Sequence, residues 1–469
     1  MMDWELRDYK KYIESKAVVV DPSGFEPSPH VAPLFPFQRK AVDWAIRQGR
    51  SALFLSTGLG KTRSQLEWAR QVSEHTGKRV FILAPLAVAQ QTVREAASVG
   101  IDGVSYALSD DDALSRIVVT NYERLGKFDT SGAGGVVLDE SSILKSYTGT
   151  TKRAIFEAFA DTPYKLACSA TPAPNDHLEL GNHAEFLDVM SSHQMIARWF
   201  ITDLGTFGTY RLKGHAVNDF WDWVSSWAVM AAKPSDLGHE FDDGPYMLPE
   251  LRIHRHVVDI DDCIPDADAG TLFRFVEMNA TSVHAERRRT ATARAEKIAQ
   301  IVSVEPSEPW LFWCETDYEA DAVMSAVRDI IPGIAEVKGS MPSRTKESRL
   351  LGFSNGEIQA LLTKPKIAGF GLNWQHCARV VFCGATYSFE AFHQAVRRSW
   401  RFGQLRPVDV HIVMGSTEKR VWAVLERKRS DFESMKDEMF KAARRNRQRR
   451  ATSGRYKATG AMEVPPWMR

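Results

Sequence analysis

Ser51-Ala52-Leu53-Phe54-Leu55-Ser56-Thr57-Gly58-Leu59-Gly60-Lys61-Thr62 joins an apolar run to a glycine loop, a lysine and a hydroxyl residue. It leads into a helix-like segment, Arg63 to Ser73. Strand, glycine loop, lysine, hydroxyl, helix is the physical recipe for gripping a nucleoside triphosphate. Glycines let backbone N–H groups turn inward around phosphate oxygens, and the helix N-terminus adds partial positive charge at the same place. Gly58 and Gly60 would shape that cradle, Lys61 would reach the β- and γ-phosphates, and the Thr62 hydroxyl would ligate Mg²⁺. The common form of the loop has glycine where this chain has Leu55, so the match is partial, and alone it could be a chance loop.

A second motif stands in the right place. Val136-Val137-Leu138 reads as a buried strand after the turn-rich stretch 131–135, and it ends in Asp139-Glu140. Carboxylates at the C-terminal end of a parallel strand sit where ligands bind in open α/β sheets. Asp139 would hold Mg²⁺, directly or through water, and Glu140 would orient the attacking water. An acidic pair capping a surface strand is the bland alternative, and the phosphate loop outweighs it.

The 469 residues exceed one typical domain, so two or three are expected. Hydrophobic content of 44% and charged content of 25% are ordinary for a soluble globular protein. With a net charge of +1, no global field declares a polyanionic partner, and local patches must carry that argument. The five cysteines form no CxxC pair, which argues against a disulfide framework or structural zinc and suits a reducing compartment. Residues 1–5 lack a signal pattern, and the longest apolar-rich run, near Val80 to Ala89, is too short to span a bilayer. A cytoplasmic location is expected, or a nuclear one in a eukaryotic host.

From Leu34 to Leu187, short apolar runs alternate with helical patterns. The strand candidates are Ala52–Leu55, Val80–Leu83, Ile117–Val119, Gly135–Leu138 and Tyr164–Cys168. Alternation of this kind predicts a mostly parallel, doubly wound sheet. Residues 191–235, rich in tryptophan (Trp199, Trp221, Trp223, Trp227), read as a helical insertion whose indoles are core. Residues 236–290 read as a linker that includes one strand, Arg252–Val258. Alternation resumes over 291–426, with strand candidates Trp310–Cys314, Ile334–Val337, Ala360–Thr363, Val380–Cys383 and Val408–Val413. The remainder, 427–469, reads as a helix followed by a frayed basic tail that includes Lys441, Arg444, Arg450, Arg455 and Lys457.

Two α/β domains sharing one phosphate loop suggest a nucleotide clamped between domains. Closure couples to hydrolysis when the second domain supplies an arginine to the γ-phosphate. In the segment 394–404, Gln394, Arg397, Arg398 and Arg401 recur at three- and four-residue spacing, so on a helix they share a face. A solvated basic helix face is the alternative.

These motifs, in this order, resemble the superfamily-2 helicases and, within them, the Swi/Snf-like DNA translocases. The resemblance covers Leu34 to Glu426 and implies two tandem RecA-like P-loop domains, parallel sheets flanked by helices, preceded by an extension over 1–33. The stretch 34–39 is similar to the upstream glutamine motif, which implies that Gln38 reads the adenine edge. Ala84-Pro85-Leu86 and the stretch 119–122, with Asn121 and Tyr122, resemble DNA-facing elements. Asp139-Glu140-Ser141-Ser142 stands where the family has DEAH or DEGH, and Leu144-Lys145-Ser146 resembles LKN. Ser169-Ala170-Thr171-Pro172 resembles the coupling motif whose Ser169 and Thr171 would link the nucleotide to DNA contacts. In the second domain, the stretch 369–373, with Gly371 and Asn373, resembles GxGLN, and 394–404 resembles QAxGRxxRxGQ with Arg398 and Arg401 on its two arginines.

Ser141-Ser142 departs from the family's third and fourth positions. Arg397 replaces a glycine or aspartate, and Pro365 replaces a hydroxyl residue ahead of GxGLN. The resemblance implies an ATP- and Mg²⁺-using motor that tracks along double-stranded DNA. Phosphate contacts would carry affinity, from Lys145, Lys364, Lys366 and the loops near Asn121. Trp374 could stack on a base, though core packing is the commoner outcome for a tryptophan there. A strand-separating DNA or RNA helicase and a nucleotide-gated binding protein remain alternatives. A small-molecule kinase or GTPase would leave the second domain and its arginines without a role.

Overall fold

The computed structural model describes residues 20–145, 149–173, 176–202, 210–258, 285, 287–368, 372–386 and 388–453. Strands β1 (Arg50–Leu55), β2 (Val80–Ala84), β3 (Val104–Tyr106), β4 (Ile117–Asn121), β5 (Gly135–Asp139) and β6 (Tyr164–Cys168) belong to one sheet. A short antiparallel pair, β7 (Phe200–Thr202) and β8 (Tyr210–Leu212), stands apart, and β9 (Ala228–Ala231) returns to the large sheet as its edge. The order is β3-β4-β2-β5-β6-β1-β9, with every pairing parallel. Apart from the short β3, these strands are buried along nearly their whole length, which is why they read as continuous apolar runs. The second sheet contains β10 (Leu251–Val258), β11 (Trp310–Trp313), β12 (Ile334–Val337), β13 (Ala360–Thr363), β14 (Arg379–Cys383) and β15 (Val408–Gly415). Its order is β10-β15-β14-β11-β13-β12, again parallel throughout. The molecule is therefore built from two parallel-sheet α/β domains, as the alternation of apolar runs predicts.

This topology gathers the motifs. Strands β5, β6 and β1 are neighbours, so their C-terminal ends bring Asp139, Ser169 and the loop ahead of Lys61 to one edge. Strands β2 and β4 continue that edge, with Ala84 in register with Asn121.

Three segments differ from the sequence-based expectation. The stretch 191–235 is not only helical: it supplies β9, which pairs with β1 from Ala52–Ala228 to Leu55–Ala231. Its four tryptophans are core, 0–3% exposed, in one cluster with Phe54. The strand expected inside the linker, β10, is the edge of the second sheet, paired with β15 along its full length. The C-terminal basic stretch is helical through Ser453, within a 35-residue helix, Lys419–Ser453. Arg455 and Lys457 lie outside the described residues.

That helix is about 52 Å long at 1.5 Å per residue, and it touches both domains. Val421, Trp422 and Leu425 join the core of the second, while Phe432, Met435, Met439 and Ala442 join the tryptophan-rich core of the first. Positions 432, 435, 439 and 442 make a stripe at helical spacing, which a reading of bulk composition overlooks. Arg444 then pairs with Asp236 at 2.7 Å. Phe432 is 5% exposed and packs on Phe389 and His393 of the second domain at 5.3 and 5.6 Å. Phe432→Ala is expected to lower unfolding stability by about 3 kcal/mol, from lost transfer energy plus a cavity. Leu114→Ala, at a side chain 93% exposed, should stay within about 0.5 kcal/mol of wild type. Denaturant midpoints of the two variants check this.

Candidate nucleotide site at the domain cleft

The loop between β1 and the helix Lys61–Thr76 turns through two left-handed glycines, Gly58 at φ 96° and Gly60 at φ 75°. Both positions are also crowded. A Cβ on Gly60 would lie 2.1 Å from Gln38 Nε2, and one on Gly58 would lie 2.7 Å from Phe402 Cβ. Gln38 is buried beside the loop, donating from Nε2 to the Leu59 carbonyl at 3.0 Å and accepting at Oε1 from the Phe35 N–H at 2.9 Å. Its amide thus holds the loop's shape. Lys61 Nζ donates to the Leu55 carbonyl at 2.9 Å. Burial pushes its pKa down, against the opposing charges of Glu140 and Asp139. Thr62 follows in the first helical turn, half-buried.

Asp139 closes β5 and is 5% exposed; its Oδ1 accepts from Gln65 Nε2 at 2.8 Å. Glu140 sits at φ 56°, an uncommon backbone state for a residue with a side chain. Its Oε2 is buried and finds no partner among the described residues. Burial raises the pKa of both carboxyl groups above the ordinary range, and Lys61 pulls the other way. Tyr122, expected to face nucleic acid, is 6% exposed, and its hydroxyl donates to the Asp139 carbonyl at 2.6 Å. Asn121 is buried as well, with Oδ1 unpartnered. Ser169 is fully buried and accepts at Oγ from the Thr171 N–H at 3.0 Å, leaving the Thr171 hydroxyl unpartnered. Pro85 lines the cleft.

The second domain approaches from the far side. The helix that carries Gln394, Phe389–Val396, stops before the arginines. The expectation of one helical face therefore fails, because Arg397 and Arg398 lie in a turn and Arg401 in the bend that follows. They are set by the Trp374 N–H, which donates to the Arg398 carbonyl at 2.9 Å, and by Trp400 Nε1, which donates to the Pro249 carbonyl at 2.7 Å. Convergence is achieved differently, since Arg398 and Arg401 both donate to the Leu372 carbonyl, at 3.1 and 3.4 Å. Gln394 Oε1 accepts from Arg398 Nη2 at 3.4 Å. Burial drives the Arg398 pKa down to about 9, helped by Arg401, while Glu140 across the cleft opposes the shift. Burial likewise takes Arg397 and Arg401 to about 10. Arg397 stacks over Trp400, its guanidinium carbon 4.7 Å from the ring centroid. Asn373 is exposed, Lys364 pairs with Asp317 at 2.9 Å, and Gly371 lies outside the described residues. Trp374 is core: fully buried, with Nε1 donating to Ser354 Oγ at 2.9 Å.

Several residues of the site carry no local sequence signal. Phe402 of the second domain rests on Gly58 and stacks on Tyr246 at 4.9 Å. His183 sits under Ser141, Nε2 to Oγ 3.3 Å, and burial holds it neutral with a pKa pushed down to about 3. Glu390 pairs with Lys145 across the cleft. The cleft itself is about 880 Å³ and is lined by Pro85, Tyr122, Glu140, Lys145, Lys366 and Glu390 among others.

The oxygens of Thr62, Asp139 and Glu140 are hard donors suited to Mg²⁺. Among the described residues no group of three or more His, Cys, Asp or Glu side chains could hold a metal by itself. The unpartnered Glu140 Oε2, Thr171 hydroxyl, Gln394 Nε2 and Arg398 Nε are buried polar atoms of the kind that a bound anion and its water would satisfy. No described helix is long and apolar enough to cross a membrane.

Comparison with known families agrees with this geometry. Residues 35–180 match the model described as DEAD/DEAH box helicase, and residues 293–403 match the helicase conserved C-terminal domain. No curated protein matches the chain.

Proposed function

We propose, for a chain that belongs to the helicase superfamily and is a nucleic-acid-dependent ATPase, that the work of hydrolysis is movement along duplex DNA. The observation that carries this reading is the sharing of one cleft by two sets of groups. Lys61, Asp139 and Glu140 come from the first domain, and Arg398 and Arg401 from the second, with Glu140 and Arg398 within electrostatic reach of each other. A site split in this way turns over when the domains close, so each cycle moves one domain against the other. The Swi/Snf-like stretches 144–146 and 394–404 favour duplex DNA as the track.

In the cycle, the loop around Gly58 and Gly60 binds the phosphates with backbone N–H groups, and Lys61 leaves the Leu55 carbonyl for a phosphate oxygen. Thr62 and Asp139 would hold Mg²⁺, which when bound neutralises charge on the β- and γ-phosphates. Glu140 orients the attacking water and accepts its proton. Arg398 and Arg401 exchange the Leu372 carbonyl for the γ-phosphate as the cleft closes. Ser169 and Thr171 connect the end of β6 to the nucleic-acid side.

ATP hydrolysis measured with no nucleic acid, duplex DNA, single-stranded DNA and RNA tests the proposal. Duplex DNA should stimulate turnover most, and Lys61→Ala should reduce it at least about 100-fold, because the only cation within the phosphate loop is lost. Triplex displacement should then report translocation. Stimulation by single strands or RNA alone would instead mean a strand-separating helicase, and ATP binding without turnover would mean a nucleotide-gated binding protein.

A further inference from the structure

We propose that Glu390 stands in for a nucleic-acid phosphate, holding Lys145 across the cleft until a phosphate of duplex DNA takes its place. The inference rests on the reading of the chain as a DNA-stimulated ATPase and names a control within it. Lys145 lies in the first domain, a few residues beyond Glu140; Glu390 lies in the second, one helical turn before Gln394. Their side chains form an ion pair between the domains. The pair is lopsided: the lysine is 42% exposed and the carboxylate 10%. A ligand entering the cleft thus reaches the cation first.

Glu390 is also held in place. It occupies the first turn of Phe389–Val396, where the helix dipole favours a negative charge. That helix is capped by Ser388 Oγ, which accepts from the Ala391 N–H at 3.1 Å. The same cleft is lined by three further cations, Arg94, Lys346 and Lys366, interspersed with the carboxylates Glu123, Glu140 and Glu347. A phosphate arriving there meets one cation already neutralised by protein. Lys145 gives up a carboxylate and gains a phosphate, and the DNA releases condensed counterions, which drives the exchange. The bridge between the domains opens at that moment.

The test is a double-mutant cycle on DNA affinity, read by fluorescence anisotropy of a labelled duplex over a range of salt concentrations. Glu390→Gln keeps the side chain's shape and removes its charge. It should tighten binding about two- to fivefold, the shift that a half-exposed ion pair carries. Lys145→Ala should weaken binding and reduce the salt slope by about one phosphate contact, roughly 0.9 in log K against log salt. In the Lys145→Ala background, Glu390→Gln should have no effect. Unchanged or weaker binding by Glu390→Gln overturns the proposal. So does equal tightening with and without Lys145, which would mean general repulsion rather than exchange. Wild-type protein that binds duplex DNA without stimulated turnover would overturn the motor reading alone, while no duplex binding would overturn both.

Discussion

Arg398→Ala is expected to lower DNA-stimulated kcat about 10³-fold or more, the range associated with an arginine that reaches the γ-phosphate from a second domain. ATP affinity should change far less. The guanidinium is 5% exposed, donates to the Leu372 carbonyl and to Gln394, and keeps a buried Nε with no partner among the described residues. Burial lowers its pKa to about 9, which still leaves it charged near neutral pH. A buried cation on one backbone carbonyl and one amide makes no contact ion pair among the described residues, with Glu140 acting only at longer range, and an anionic γ-phosphate is the group that would repair this as the cleft closes. Arg398→Lys should recover little, because an ammonium has no planar fork and loses its proton more readily when buried. Arg397→Ala should cost much less in kcat, since Arg397 is committed to Trp400 by stacking and by a bond to its carbonyl at 3.3 Å. Single-turnover hydrolysis beside the affinity for a fluorescent ATP analogue separates the two steps. A loss smaller than about tenfold in Arg398→Ala would remove this residue from the transition state.

The sequence disclosed those parts of the fold in which local pattern and tertiary role coincide. All eleven strand candidates fall on strands of the two sheets, most of them because a parallel strand buried on both faces must be a run of apolar residues. Strand β3 escapes that logic: it has three residues, all only partly buried. Strand β9 is four residues placed directly after the helix Val217–Trp227, whose indoles dominate the local pattern. The arginine segment misleads for a different reason. Spacings of three and four fit a helix, yet the chain leaves the helix at Val396 and uses the Leu372 carbonyl to bring Arg398 and Arg401 together. Spacing shows which residues can share a face only while the helix lasts. His183 under Ser141 and Phe402 on Gly58 are meetings of distant segments, created by topology alone. Tyr122 shows that a motif position can be filled by a residue whose hydroxyl braces the backbone of a catalytic strand.

Glu140→Gln should reduce kcat about 10²- to 10⁴-fold, the usual contribution of a positioned general base, while ATP binding persists. The substitution keeps volume and the φ 56° backbone, so the loss reads chemistry rather than folding. The pH dependence gives a second, independent signature. Burial raises the Asp139 and Glu140 pKa values, and only partial compensation comes from Gln65 and Lys61. The base works when deprotonated, so activity is lost as pH falls through the raised value. The acid limb of wild-type kcat/KM, which reports the free enzyme, should therefore lie above the ordinary glutamate range. Two carboxyl groups this close titrate together, so the limb belongs to the pair. In Glu140→Gln the residual activity should lose the part of that limb that water activation imposes. Asp139→Asn should instead weaken Mg²⁺ binding, raising the Mg²⁺ concentration needed for half-maximal turnover. If Glu140→Gln kept the wild-type acid limb at a reduced rate, the titrating group would be elsewhere, and Glu140 would be a strained strand terminus without a proton to accept.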